Sequence, residues 1–238
     1  MWPVLALAAS DDLSPTEIIR RSDELLRGEN SYSQMEMTIS RPHWTRTVIM
    51  EGWSSGADNM FVRVLAPKKE RGITFLKKGR EAWNYIPAID RVIKLPPSMM
   101  LQSWMGSDFT NDDVVRADSM VEDYTHRLLD KPIVEGAPCW TIEAIPKPDA
   151  PVVWGKVVFT VRQSNYVPIR VDFFDEDSCL VKFYVTSRIR KIEGRELATE
   201  FTMHDALKDE HKTSIVYNSI TFKPELKPDT FSLKNLKQ

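Results

Sequence analysis

With 238 residues, 42% of them hydrophobic and 28% charged, the chain carries enough apolar matter to bury a large core. Its 32 basic and 34 acidic residues leave a net charge of -2, which provides no electrostatic footprint for nucleic acid. No apolar run approaches the roughly 20 residues that span a bilayer, so no transmembrane span is expected.

The first nine residues, Met1-Trp2-Pro3-Val4-Leu5-Ala6-Leu7-Ala8-Ala9, read like the back half of a signal peptide. They carry an Ala6-Leu7-Ala8 cleavage pattern but lack the usual basic start. Export is the expectation, with residues 1–9 a truncated signal-peptide remnant. Residues 10–238 are expected to form a single domain, because no linker, low-complexity tract or repeat interrupts them.

The first element is a helix over residues 15 to 27. Ser14 is placed to cap it, Pro15 suits the first helical position, Glu17 completes a capping box and Gly28 follows its end. Ile18, Leu25 and Leu26 make an apolar stripe that must pack on something. A two-residue period then takes over: Ser33, Met35, Met37 and Ile39 alternate with polar neighbours, and Val48, Ile49, Met50 and Trp53 follow a break at Pro42. Further strands are expected at 59 to 66, 72 to 77, 81 to 86 and 91 to 95, with Pro87-Ala88-Ile89-Asp90 as the turn between the last two.

The stretch from Leu95 to Phe109 breaks this pattern, because it is apolar and methionine-rich where a connection should be polar. Pro96-Pro97 and Gly106 bound a piece that contains Met99, Met100, Leu101, Trp104 and Met105 and is unsuited to a sheet strand. Flexible methionines beside a tryptophan suit a surface that repacks around apolar partners. The same residues also serve a plug at a barrel end, and periodicity does not separate plug from ligand lid. Thr110, with Asp113 three residues on, starts a short helix at about 111 to 117.

Strands resume at 122 to 130, 138 to 146, 155 to 163, 167 to 175, 179 to 190, 195 to 204 and 212 to 222. Gln163-Ser164-Asn165 and Asp175-Glu176-Asp177 supply turn chemistry. About a dozen strands in series with no βαβ unit predict a mainly β (α+β) fold. The expected architecture is a strongly curved antiparallel sheet forming an incomplete β-barrel, with short helices plugging its open mouth. Cys139 opens one strand and Cys179 follows a turn three strands later, at the opposite end of a meander. Two unpaired thiols are therefore expected.

Catalytic constellations are scarce. His43, His126, His204 and His211 are scattered, and no HExxH, paired CxxC, GxSxG or glycine-rich phosphate loop occurs. The best metal candidate is His204, Asp205, Asp209, Glu210 and His211, which would support a metal-dependent hydrolase; a polar hairpin tip explains the same residues. Asp108, Asp112 and Asp113 are read as caps and first-turn acids rather than an acid–base pair. Lys68-Lys69-Glu70-Arg71 and Lys77-Lys78-Gly79-Arg80 are read as solvated turns. Of Trp44, Trp53, Trp83, Trp104, Trp140 and Trp154, all but Trp104 read as ordinary core.

Several pieces together resemble a known family. Trp83-Asn84-Tyr85-Ile86-Pro87-Ala88, Val92-Ile93-Lys94, and Met105-Gly106-Ser107-Asp108-Phe109 followed by Asp112-Asp113 are similar to the LolA-like, outer-membrane lipoprotein-sorting family of bacterial periplasmic proteins. Tyr166-Val167-Pro168-Ile169-Arg170, Phe173-Phe174-Asp175, Leu180-Val181-Lys182, and Asp229-Thr230-Phe231 with Leu233 and Leu236 extend the resemblance to the other half.

The resemblance implies a periplasmic carrier, not an enzyme, that holds lipid or lipoprotein acyl chains in an apolar cavity without a cofactor or metal. It takes part in outer-membrane trafficking, with an outer-membrane acceptor or an inner-membrane transporter of the resistance-nodulation-division (RND) type as partner. No match to the lipoprotein carrier's lid-closing arginine is found, so free lipid is as good a cargo as lipoprotein. The residues expected to line lid and cavity are Trp83, Tyr85, Leu95, Met99, Met100, Leu101, Trp104, Met105 and Phe109. The alternative is an adaptor that docks on such a transporter and carries nothing.

Overall fold

The computed structural model describes residues 13–115 and 119–237; residues 1–9 therefore lie outside the description. Helix α1 (Pro15–Arg27) begins and ends where its signals place it. Ser14 is extended and its hydroxyl accepts the Glu17 N–H at 3.2 Å, while the N–H of Gly28, at φ 56°, donates to the Glu24 carbonyl.

Six strands follow: β1 (Asn30–Arg41), β2 (Trp44–Ser55), β3 (Asn59–Ala66), β4 (Thr74–Lys78), β5 (Glu81–Ile86) and β6 (Arg91–Lys94). The second series is β7 (Tyr124–Asp130), β8 (Ile133–Val134), β9 (Ala137–Pro146), β10 (Lys156–Arg162), β11 (Pro168–Phe174), β12 (Leu180–Ile192), β13 (Arg195–Asp205) and β14 (Lys212–Phe222). All pair antiparallel in one 14-stranded sheet, in the order β6-β5-β4-β3-β2-β1-β14-β13-β12-β11-β10-β9-β7, with β8 on β9.

The sheet does not close: β6 and β7 are its two edges. It curls around α1, which touches β1 and β13 near the middle and β7 at one edge. The concave face carries a continuous register row, Ile142–Phe159–Val171–Tyr184–Met203–Thr213–Ile39, running from β9 to β1. The described residues between β6 and β7 pack against the residues of β1 to β5 through Leu95, Met100, Trp104 and Val115.

Several local expectations are corrected. The helix expected over 111–117 is α2 (Asn111–Val115), and positions 116 and 117 lie outside the described residues. A further turn of helix, α3 (Ser119–Glu122), occupies the start of the strand expected from 122, so β7 begins at Tyr124. The two-residue β8 is too short to leave a periodic trace. Lys77, expected in a solvated turn, is buried, and its ammonium donates to the Ala57 carbonyl at 2.7 Å. Trp44 is half exposed at its hairpin end rather than in the core.

Both cysteines are free, Cys139 buried and Cys179 exposed. Register explains their separation: Cys139 stands opposite Arg162, whereas Cys179 adjoins Leu180, which pairs with Phe174 at the other end of the strands. Among the described residues no helix is long and apolar enough to cross a membrane.

Candidate functional site

The nine residues expected around a lid do not form one site. Trp83 and Tyr85 pack on the convex face against Phe61, Leu76, Phe231 and Leu236, where the C-terminal tail covers β3 to β5. The Thr74 hydroxyl fixes that tail by donating to the Leu236 carbonyl at 2.8 Å. Leu95, Met100 and Trp104 are buried in a concave-face cluster with Met37, Val48 and Phe75, and Met99, Met105 and Phe109 pack against it. Leu101 is 61% exposed.

The methionine-rich segment is a pinned plug. Asp108 is not a cap: its carboxylate takes Arg41 of β1 at 2.9 Å and the Thr213 hydroxyl of β14 at 2.6 Å, tying the segment to the middle of the sheet. Arg46 of β2 donates to the Met105 carbonyl, and the Asn111 side chain donates to the Met99 carbonyl at 2.9 Å. Met105 and Gly106 both have positive φ, 52° and 72°, and make a tight turn behind Trp104. Trp104 meets Phe75 edge-on with ring centroids 6.2 Å apart. Trp104 and Met105 also wall a side cavity of about 180 Å³ against β3 to β5.

A different part of the concave face holds the apolar cavity, of about 190 Å³. Its roof is α1, through Ile19, Leu25 and Leu26. Its floor is β10 to β13, through Phe159, Val171, Phe173, Tyr184, Phe201 and Met203. Phe109 and Asp113 close one side, and Phe109 is the one residue of the expected nine that reaches it. For scale, a dry engineered cavity of about 150 Å³ binds benzene. The helix stripe signalled a buried partner in the sequence, but nothing local said that part of that partner is empty space.

Ser22 and Asp23 of α1 also line the cavity, and a buried ion pair stands at its Asp113 side. Lys182 of β12 and Asp113 of α2 form an ion pair whose side chains are 6% and 9% exposed. The ammonium also lies 4.7 Å over the Trp154 ring and 5.3 Å from the centroid of Phe173. The same Asp113 oxygen, Oδ2, accepts the Thr110 N–H at 2.7 Å, completing the expected capping box. Burial, and secondarily the Asp113 charge, push the Tyr184 phenol well above its ordinary pKa. Burial pushes Tyr217 up to about 12. Both phenols therefore stay protonated and neutral. Aromatic contacts link Phe173, Tyr184, Phe201 and Tyr217 across β11 to β14, with centroids 5.9 to 6.1 Å apart.

Polar ties also hold the roof beyond its apolar stripe. Thr16 bonds His126 of β7 at 3.0 Å, and Arg21 donates to the Tyr166 hydroxyl at 2.8 Å. The candidate metal cluster is not assembled. His204 stacks on Phe183 with centroids 4.8 Å apart, and among the described residues no three His, Cys, Asp or Glu side chains converge.

A family model with the description "-like: Uncharacterized protein" matches residues 56–238. The chain belongs to that family. A DUF1329 family protein from Desulfovibrio piger shares the family member's fold with a TM-score of 0.86 at 25% identity, over 93% of this chain and 97% of that one. A putative outer membrane lipoprotein-sorting protein domain from Vibrio parahaemolyticus gives 0.82 at 21%, over 92% and 97%. A LolA superfamily protein from Nitrosomonas europaea gives 0.79 at 23%, over 94% and 99%. The fold is thus the mainly β, open-barrel fold of LolA-like proteins, as the sequence resemblance implied. No curated protein matches the sequence.

Proposed function

We propose that this protein is a periplasmic carrier that holds the acyl chain of a lipid or lipoprotein and takes part in outer-membrane trafficking. The observation that carries this reading is the apolar cavity between α1 and β10 to β13, lined mainly by aliphatic and aromatic side chains. The fold shared with a LolA superfamily protein and a lipoprotein-sorting domain supports the same reading. In this reading residues 10–238 make up the carrier unit.

In this reading α1 is the movable cover and the segment from Pro97 to Phe109 is the fixed wall. The segment is anchored at Asp108, Met105 and Met99, whereas α1 is held across space by side-chain ties and its apolar stripe. A cavity of about 190 Å³ takes only part of a long chain, so uptake requires α1 to lift. Burying apolar surface supplies about 25 cal/mol per Å², so affinity rises with chain length until the cover no longer closes.

Organic extraction and mass spectrometry of protein purified from the native periplasm test the reading directly, with displacement of a fluorescent fatty acid alongside. Copurified lipid and chain-length-dependent displacement are expected; neither signal appearing would remove it. The adaptor reading, docking on an RND-type transporter, draws on the exposure of Leu101. Met100 and Trp104 are buried, so a crosslinker belongs at Leu101, where capture of a transporter without any bound lipid would favour the adaptor.

A further inference from the structure

A second, polar space adjoins the apolar cavity. Asp23 of α1 lines both the cavity and a groove of about 590 Å³. On β13, Leu197 lines the cavity, and Arg195, two residues earlier on the same face of the strand, lines the groove. Most charges of the groove are matched within the protein. Arg27 pairs with Asp23, Arg20 with Glu17 and Glu24, and Glu29 with Lys223. Two charges that line it are not. Among the described residues neither the Arg195 guanidinium nor the Glu122 carboxylate has an ion-pair or hydrogen-bond partner, and Lys147 reaches the Glu122 carbonyl instead. The guanidinium is nonetheless held in place. It lies 4.3 Å from the Phe222 ring centroid, and Gly28 at the end of α1 packs so close that a Cβ there would stand 3.1 Å from it. A helix C-terminus favours a positive charge beside it, which accounts for an arginine at this place but leaves its N–H donors unused.

From these two charges we infer that the groove is the head-group subsite of the cargo and takes a zwitterion, a phosphate followed by an ammonium, on an amphiphile whose chain fills the cavity. The phosphate accepts from Arg195, whose planar fork suits two of its oxygens at once, and the ammonium is matched by Glu122. The inference rests on the carrier reading and deepens it. Charge decides among the possible head groups. A purely anionic head would leave Glu122 unmatched and would meet the carboxylates of Glu24 and Glu29 in the same groove. A purely cationic head would leave Arg195 unmatched. An uncharged head engages neither.

Displacement of N-phenyl-1-naphthylamine, a neutral apolar fluorophore, by decylphosphocholine, decyl sulfate and decyltrimethylammonium tests this on the unaltered protein, each ligand kept below its micellar concentration. The three share one chain, so only the head group differs. Decylphosphocholine is expected to bind about two- to fivefold more tightly than either singly charged ligand, the range that partly exposed ion pairs provide. The preference should shrink as salt is raised. Arg195→Gln is expected to bring decylphosphocholine down to decyltrimethylammonium, and Glu122→Gln to bring it down to decyl sulfate, with circular dichroism confirming that each variant is folded. Equal affinities on the unaltered protein, or tighter binding of a singly charged ligand, would overturn this inference and leave the carrier reading standing. Failure of all three ligands, and of the fluorophore, would bring both down. A zwitterion preference that survives in both folded variants would place the head group elsewhere and overturn the assignment to the groove.

Discussion

Ala198 of β13 is buried and lines the cavity, so replacing it with leucine is expected to fill empty space rather than crowd packed atoms. Three added carbons, at about 0.8 kcal/mol each, stabilise the unliganded protein by at most about 2.4 kcal/mol; imperfect fit lowers this to about 1–2 kcal/mol. For a domain of this size each kcal/mol raises Tm by about 2–4 °C, so a rise of roughly 2–8 °C is expected. The same carbons occupy space the ligand needs. Losing contacts worth about 2.4 kcal/mol weakens chain binding by up to about fiftyfold. Thermal unfolding followed by circular dichroism and fluorophore displacement read the two effects on one preparation. A higher Tm with unchanged binding would place the ligand outside this cavity. A lower Tm would mean that the cavity does not accept the side chain.

Removing one partner of the buried pair, as in Asp113→Ala, leaves Lys182 desolvated and unpaired and is expected to cost about 3–5 kcal/mol in urea unfolding. Asp113→Leu with Lys182→Met is expected to restore most of that loss; no restoration would mean that the pair acts through something other than its charges. Ser14→Ala removes the α1 cap and is expected to cost about 1 kcal/mol. It should also speed fluorophore exchange, whereas unchanged exchange kinetics would argue against α1 as the cover. His126 has its pKa lowered, chiefly by burial, against the opposing hydrogen bond to the Met120 carbonyl. His204 is lowered mainly by burial, then by Lys212 and Arg170. Below the ordinary histidine pKa near 6.5 the unfolded chain takes up these protons first. Stability is therefore full above that pH and declines as pH falls through the lowered native values. Urea midpoints measured between pH 7.5 and 5 should show the decline, shallower in His126→Gln; identical slopes would remove His126 from the account.

The parts legible in the sequence are those fixed by neighbours along the chain. Ser14, Pro15 and Gly28 mark α1 because capping is decided within four residues. The strands show because burial alternates over their own length, as in β1 and β10. Which face is concave is not local. Phe75 and Leu76 are equally buried, the first inside the curve and the second beneath the C-terminal tail. That double burial placed Trp83 and Tyr85 on the unexpected side, and the apolar Phe231 and Leu236 were the available hint of a second cover. The cavity depends on register between strands far apart in sequence, so Phe159, Tyr184 and Met203 gave no sign of convergence. Lys182 did leave a trace: it occupies the same face of β12 as Tyr184, a lysine where alternation asks for an apolar residue.

The central seam of the sheet is the pairing of β1 with β14, which joins Ser31 to Phe222. Every other pairing in each half is formed between strands near in sequence, so two meanders can assemble early from short loops. The seam must close a loop of most of the chain, and until residues 212–222 arrive β1 presents a long unpaired edge that carries Met35, Met37 and Ile39. Such an edge is a template for intermolecular strand pairing. During synthesis or export the hazard for this protein is therefore not the exposed outer strands of the finished sheet but its middle, and a factor that shields β1 transiently would govern the yield of folded molecules.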